Sequence, residues 1–124
     1  LPQYILHQPP HYERSVTRDG AVDQTHLRVI DDTGEEEMPG HGLRVRHRRE
    51  DRWSIIANEP LSARSTTRYT CWMSRDDWSI RTETNTTLRC DTGHFYLFAT
   101  VKAFENETLI SERQWQKALA RNLL

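Results

Sequence analysis

Hydrophobic and polar residues alternate with a period of two along most of this chain. The clearest run is Trp78 to Asp91. Trp78, Ile80, Thr82, Thr84, Thr86, Leu88 and Cys90 fall on one side, and Ser79, Arg81, Glu83, Asn85, Thr87, Arg89 and Asp91 on the other. That pattern predicts a long strand with one buried and one wet face. Its threonines suit a pleated surface, because β-branched side chains pack well there.

Other segments repeat the pattern. Strands are expected over His11–Arg18 and Ala21–Asp31, around an Asp19-Gly20 hairpin turn. Glu35–Met38 is a short acidic piece, broken by Pro39-Gly40-His41-Gly42. Leu43–Ala57 puts Leu43, Val45, Trp53, Ile55 and Ala57 on one face if no bulge shifts the register. Asn58–Ser62 reads as a non-strand connection, since Pro60 lacks a ladder donor. Arg64–Met73 follows, then Phe95–Phe104, then Leu109–Trp115. Leu1–Pro10 reads as an extended arm, because Pro2, Pro9 and Pro10 oppose a helix. Gln116–Leu124 reads as a docking tail or a single helical turn.

The fold class that follows is all-β. It is an antiparallel meander of about seven strands, forming a curved sheet, a barrel or a sandwich, in one domain spanning residues 1–124. The hydrophobic fraction of 35% and mean hydropathy of -0.83 imply a thin core completed by something else. A start at Leu1-Pro2-Gln3-Tyr4, without an initiator methionine or a secretory signal, is what a piece excised from a longer chain would show. A net charge of -1 gives no global attraction for nucleic acid or an anionic membrane. No apolar run is long enough to span a bilayer as a helix. Neither partner is expected, and the expected location is cytoplasmic.

Catalytic signatures are sparse. Asp32-Thr33-Gly34 and Asp91-Thr92-Gly93 are the triplets of a dimeric aspartic protease, whose two carboxylates share a proton. Against that reading, Glu35 and His94 stand where a small residue belongs, and a charged Glu35 would disturb a shared proton. Asp and Gly are also ordinary hairpin residues, which is the expected role here. The six histidines form no tight metal pattern, and Cys71 and Cys90 lack Cys-x-x-Cys spacing. No cofactor is expected. The two cysteines read as buried thiols in a reducing compartment rather than a disulfide. No Gly-x-Ser-x-Gly elbow or phosphate loop occurs. Two Asn-x-Thr triplets, at Asn85 and Asn106, are too common a pattern to carry weight. The run Arg44, Arg46, His47, Arg48, Arg49 and Arg52 reads as a strand face or an interface with the nearby acidic groups. A barrel lined by Thr82, Thr84, Thr86, Tyr69 and Trp78 would hold a small ligand.

One resemblance takes the reading further. Arg52-Trp53-Ser54-Ile55 is followed by Asn58-Glu59-Pro60-Leu61-Ser62-Ala63 and by Asp77-Trp78-Ser79-Ile80-Arg81-Thr82-Glu83-Thr84. Leu88, Asp91, His94-Phe95, Ala103-Phe104-Glu105, Arg113-x-Trp115 and Arg121 complete the set. In this order, from about Arg44 onward, they resemble the C-terminal extension of some CocE/NonD family hydrolases, relatives of cocaine esterase and X-prolyl dipeptidyl peptidases. The resemblance implies a parent enzyme hydrolysing esters or X-prolyl peptides with a serine, aspartate and histidine triad in an α/β-hydrolase core. No part of that core is in this chain, so no catalytic residue is carried over. The chain itself is then expected to be a non-catalytic accessory domain. It would dock on the catalytic domain of its parent chain or build a homo-oligomer contact. Arg44, Arg46, Arg48, Arg49, Trp53, Tyr96, Phe98 and Trp115 are the expected docking residues. The tail Lys117-Ala118-Leu119-Ala120-Arg121 departs from the Pro-Arg expected near that end.

Overall fold

The structure, a computed structural model, describes residues 3–122. Nine strands make one antiparallel sheet: β1 (Ile5–Gln8), β2 (His11–Asp19), β3 (Gln24–Asp32), β4 (Glu35–Glu37), β5 (Arg44–Ile56), β6 (Glu59–Arg75), β7 (Trp78–Cys90), β8 (His94–Glu105) and β9 (Thr108–Ala120). The order is β1-β4-β5-β6-β7-β8-β9, with β3 beside the other half of β5 and β2 outside β3. From β5 onward each strand pairs with the next, as short polar turns dictate. Asn106 and Glu107 both take left-handed φ, the requirement of a two-residue hairpin turn whose twist matches its strands.

The sheet is open. At its far end β9 pairs with β8 only, so neither the barrel nor the sandwich forms, and the curved sheet is what remains. Among the described residues there are nine strands rather than seven. Two come from segments expected to be irregular or too short: Ile5–Gln8 of the arm pairs with Glu35–Glu37. Residues 1–2 of that arm lie outside the described residues. The expected tail or helical turn at Gln116–Leu124 is instead strand as far as Ala120, with residues 123–124 outside the described part. Alternation continues through Trp115, Lys117 and Leu119, opposite Ala99, Leu97 and Phe95. Long-range pairing overrides the helix-forming composition there. Pro60 lies inside the start of β6, beside a register irregularity after Ser54 that makes room for it.

The register sorts side chains onto two faces. One carries Leu27, Trp53, Ile55, Tyr69, Met73, Trp78, Ile80, Thr82, Thr84, Thr86, Leu88, Phe95, Leu97, Val101 and Trp115. The other carries Arg28, Arg46, Arg48, Glu50, Arg52, Arg68, Trp72, Arg81, Glu83, Tyr96 and Phe98. Neither face is covered. Ile30 is the one buried hydrophobic residue among the described residues. The chain exposes 8980 Å², against roughly 6,900 Å² for a compact monomer of its mass.

Polar groups take the place of a core at the middle of the sheet. The buried residues there include Asp32, Glu50 and Asp51. Glu50 accepts hydrogen bonds from Arg28 Nε (3.0 Å), Arg52 Nε (2.7 Å) and Arg48 Nη1 (3.2 Å). Burial alone would raise its pKa, but those three arginines outweigh burial and bring it down to about 2. On the opposite face Asp51 accepts from Arg49 Nε (2.7 Å) and Thr67 Oγ1 (2.8 Å).

Candidate functional site: an uncovered apolar face

The alternation of β5, β7, β8 and β9 gathers large apolar side chains on one side of the sheet. Trp53, Ile55, Trp78, Leu88 and Trp115 are each at least 38% exposed on that side. Between β3, β5, β6, β7 and β8 this face hollows into a concavity of about 350 Å³, lined by Leu27, Trp53, Ile55, Ala63, Leu88 and Phe95. The hollow is an open groove, not the interior of a barrel, so the threonine-lined ligand barrel expected from Thr82, Thr84 and Thr86 does not exist as such. Apolar surface of this extent on one side of a sheet is the mark of an interaction surface.

The residues expected to dock are divided between the faces. Trp53 and Trp115 lie on the apolar side, with Arg49. Arg44, Arg46, Arg48, Tyr96 and Phe98 lie on the polar side. The arginines are engaged within the sheet. Arg44 bonds Glu35 and Glu37, Arg46 bonds Asp32 through both Nε and Nη2, Arg48 bonds Glu50, and Arg49 bonds Asp51. The neighbouring acidic residues neutralise the run, as their closeness in sequence implies. Arg46 also lies 4.7 Å from the centre of the Trp72 ring, Arg81 4.1 Å from Phe104, and Arg89 4.4 Å from Tyr96. On the polar face the half-buried rings of Trp72, Phe104 and Tyr96 are thus capped by cations of the same chain, while Phe98 stays exposed; on the apolar face Arg121 lies 5.0 Å from the Phe95 ring. On the apolar face, Trp53, Trp78 and Leu88 have no such cover.

Asp32 and Asp91 are brought nowhere near each other. Asp32 is opposite Arg48, which is opposite Thr70, which is opposite Glu83. Asp91 lies eight residues beyond Glu83, so the two carboxyls of one chain stand roughly 30 Å apart by strand spacing and rise. Each has a local structural task. Hydrogen bonds from Arg46 hold the Asp32 carboxyl below its ordinary pKa, against its burial, and Gly34 N–H adds another at 2.9 Å. Gly34 has a φ of 73°, and a Cβ there would meet Gln8 O at 2.2 Å. The first Asp-Thr-Gly is therefore the place where the β1–β2 connection crosses the end of β3. Asp91 Oδ1 accepts from Gly93 N and His94 N, each at 2.8 Å, and Oδ2 from Tyr96 Oη at 2.5 Å. The hydrogen bond from Tyr96, with those two N–H groups, lowers the Asp91 pKa. Arg121, whose tail context looked foreign, ties itself to the same turn. Its Nη1 donates to Asp91 O at 2.8 Å and its N–H to Gly93 O at 2.9 Å.

A further cluster of titratable side chains lies on the apolar face. His47 Nδ1 lies 2.8 Å from Tyr69 Oη and 3.2 Å from Cys71 Sγ, on the apolar face. Sequence reading missed it, although its signal was present: a hairpin between β5 and β6 places His47 directly opposite Cys71. His26, by contrast, lies opposite Ser54 and on the other face from His47. Cys71 and Cys90 are both free thiols, half-buried. Among the described residues no group of three or more His, Cys, Asp or Glu side chains is placed to hold a metal ion. Among the described residues no helix is long and apolar enough to cross a membrane. No family model, no curated protein and no solved structure matches this chain.

Proposed function

We propose that this chain is a non-catalytic docking module whose apolar face seats on the body of a larger protein. Its place would be as the accessory C-terminal domain of a serine hydrolase of the CocE/NonD type. The observation that carries the docking reading is the uncovered face itself. A sheet with one buried hydrophobic residue among the described residues leaves Trp53, Ile55, Trp78 and Leu88 in contact with water. Its surface exceeds that of a compact monomer by roughly 2,000 Å², the scale of one side of a large permanent interface. The resemblance from Arg44 onward supplies the identity of the partner: the catalytic domain of the same parent chain.

The polar face does not compete for this role, because its carboxylates and arginines already satisfy one another. In the complex the module would shield the core or shape access to the active site, and it would contribute no catalytic group. The test is the intact mass of the natural gene product in a lysate, detected with an antibody to this chain. A species several times heavier than 14.7 kDa is expected, with activity on esters or X-prolyl peptides. A product of 14.7 kDa would end the accessory-domain reading.

A further inference from the structure

We infer that the β9 edge is a homodimer interface, at which two copies join their sheets antiparallel with Gln114 on the two-fold axis. This inference concerns the edge of the sheet rather than its apolar face, and it stands whatever the face docks on.

All thirteen residues of β9 are exposed. Among the described residues only β8 pairs with it. Its open side can be read from the ladder. Arg121 N–H bonds Gly93 O, and hydrogen-bonded pairs alternate along an antiparallel ladder. The bonded pairs are therefore Phe95–Leu119, Leu97–Lys117, Ala99–Trp115 and Val101–Arg113. Glu112, Gln114, Gln116 and Ala118 turn both N–H and C=O to the open side. Such an edge is a template for another strand, and natural sheets usually blunt it with proline, charged side chains, bulges or a covering segment; β9 carries a bulge at its start and charges at Glu112, Arg113 and Lys117, which leaves Ser111–Ala120 regular. β9 contains no proline.

The sequence of β9 fits a second copy of itself in one register best. A two-fold axis normal to the sheet keeps like faces together, so odd-numbered residues must oppose odd and even oppose even. With the axis at Gln114, the regular stretch Ser111–Lys117 overlaps its mate in full, and the bulge before Ser111 sets Thr108–Ile110 outside this register. Arg113 then opposes Trp115 twice, a cation over an indole. Glu112 opposes Gln116, Ser111 opposes Lys117, and Gln114 opposes itself as a hydrogen-bonded pair. Moving the axis to Trp115 sets Arg113 against Lys117, and moving it to Arg113 sets that arginine against its copy. Like charges directly opposite are destabilising, so both neighbouring registers are disfavoured. Joined this way, the two apolar faces form one continuous platform on the same side.

The experiment is site-directed crosslinking in the natural gene product. Gln114→Cys places two thiols opposite each other, at the Cα spacing of about 5.5 Å that a disulfide accepts. Mild oxidation is expected to give a disulfide-linked dimer well above the wild-type background from Cys71 and Cys90. Ser111→Cys and Lys117→Cys are expected not to crosslink alone, since each lies about 20 Å along the strand from its own copy. Mixed together, they are expected to crosslink with each other. Light scattering on the unsubstituted protein is expected to show a dimer at micromolar concentration. The inference is overturned if the unsubstituted protein is a monomer. It is equally overturned if Gln114→Cys stays at background, or if Lys117→Cys alone crosslinks as well as Gln114→Cys.

Discussion

Glu50 is the residue on which the polar middle of the sheet is most sharply tested. Its carboxylate, 8% exposed, accepts from Arg28, Arg48 and Arg52. Glu50→Gln keeps the shape, removes the charge, and leaves three guanidinium groups around a neutral amide. The carboxylate pKa falls from 4.5 to about 2 on folding, against the pull of burial. At 1.36 kcal/mol per unit this corresponds to about 3 kcal/mol of stability. Arg52 is largely exposed and its bond is screened by solvent, so about 2 kcal/mol is the better expectation for the substitution. A folded pKa below the unfolded one means the contribution is complete above pH 4.5. It is lost as pH falls toward 2.

Urea denaturation of the chain, followed by tryptophan fluorescence, reads this directly. At an m-value of about 1.5 kcal/mol per M, a loss of 2 kcal/mol moves the midpoint down by about 1.3 M at pH 7. The wild type and Glu50→Gln should converge as pH drops from 4.5 to about 2. A difference under about 0.3 M at pH 7, or one unchanged between pH 7 and pH 2, would refute the claim that this carboxylate holds β3 to β5.

Three further substitutions probe other parts of the argument. Gly34→Ala must either leave the left-handed region or push back the backbone of Gln8–Pro10. It should cost about 2 kcal/mol or more and speed amide exchange in β1 and β4; unchanged exchange would show that the crossing is not tight. Tyr96→Phe removes the hydrogen bond that chiefly lowers the Asp91 pKa, so the Asp91 carboxyl should titrate closer to its ordinary value in a carbon-detected NMR titration. An unmoved titration would remove Tyr96 as the cause. Leu88→Glu places a charge on the apolar face beside the Trp53 hollow and should weaken attachment to the partner body at least tenfold while circular dichroism stays that of a sheet. Retained attachment would exclude that face as the docking surface.

Much of this fold was legible as alternation. The β7 run, a turn after Asp19 and most of the strand expected over Leu43–Ala57 follow from period two and turn chemistry, although that turn spans residues 20–23, so β3 starts at Gln24 rather than Ala21, and β5 is Arg44–Ile56. What alternation could not show is whether an apolar face is covered. Trp78, Ile80 and Leu88 read as a buried row, yet no second layer meets them in this chain, because a strand pattern records only that a face is apolar. The end of β9 was hidden for a different reason. Gln116 to Ala120 has the composition of a helix, and only pairing with His94–Phe98 decides for strand. Residue type alone, arginine or aromatic, does not say which face a docking candidate occupies, and the eight expected residues divide between both faces. The parity of their numbers, taken with the hairpin register, would have separated Trp53 and Arg49 from Arg46 and Arg48.

The two faces and the edge draw on different groups, and that constrains how the molecule assembles. On the polar face each buried carboxylate already has its guanidinium, so a partner there would have to break charge pairs before making new ones. On the apolar face a partner displaces only water from Trp53, Ile55 and Leu88, which favours association without a competing intramolecular contact. The β9 edge offers its outward backbone groups together with the Arg113–Trp115 pair, and its use leaves Trp53, Ile55, Trp78 and Leu88 open. Both contacts can therefore be made at once. A dimer through β9 would present two apolar platforms on one side of a continuous sheet. Two attached bodies would then approach from the same side, and weakening the edge should weaken docking only through lost bivalency, not through lost contacts on the face.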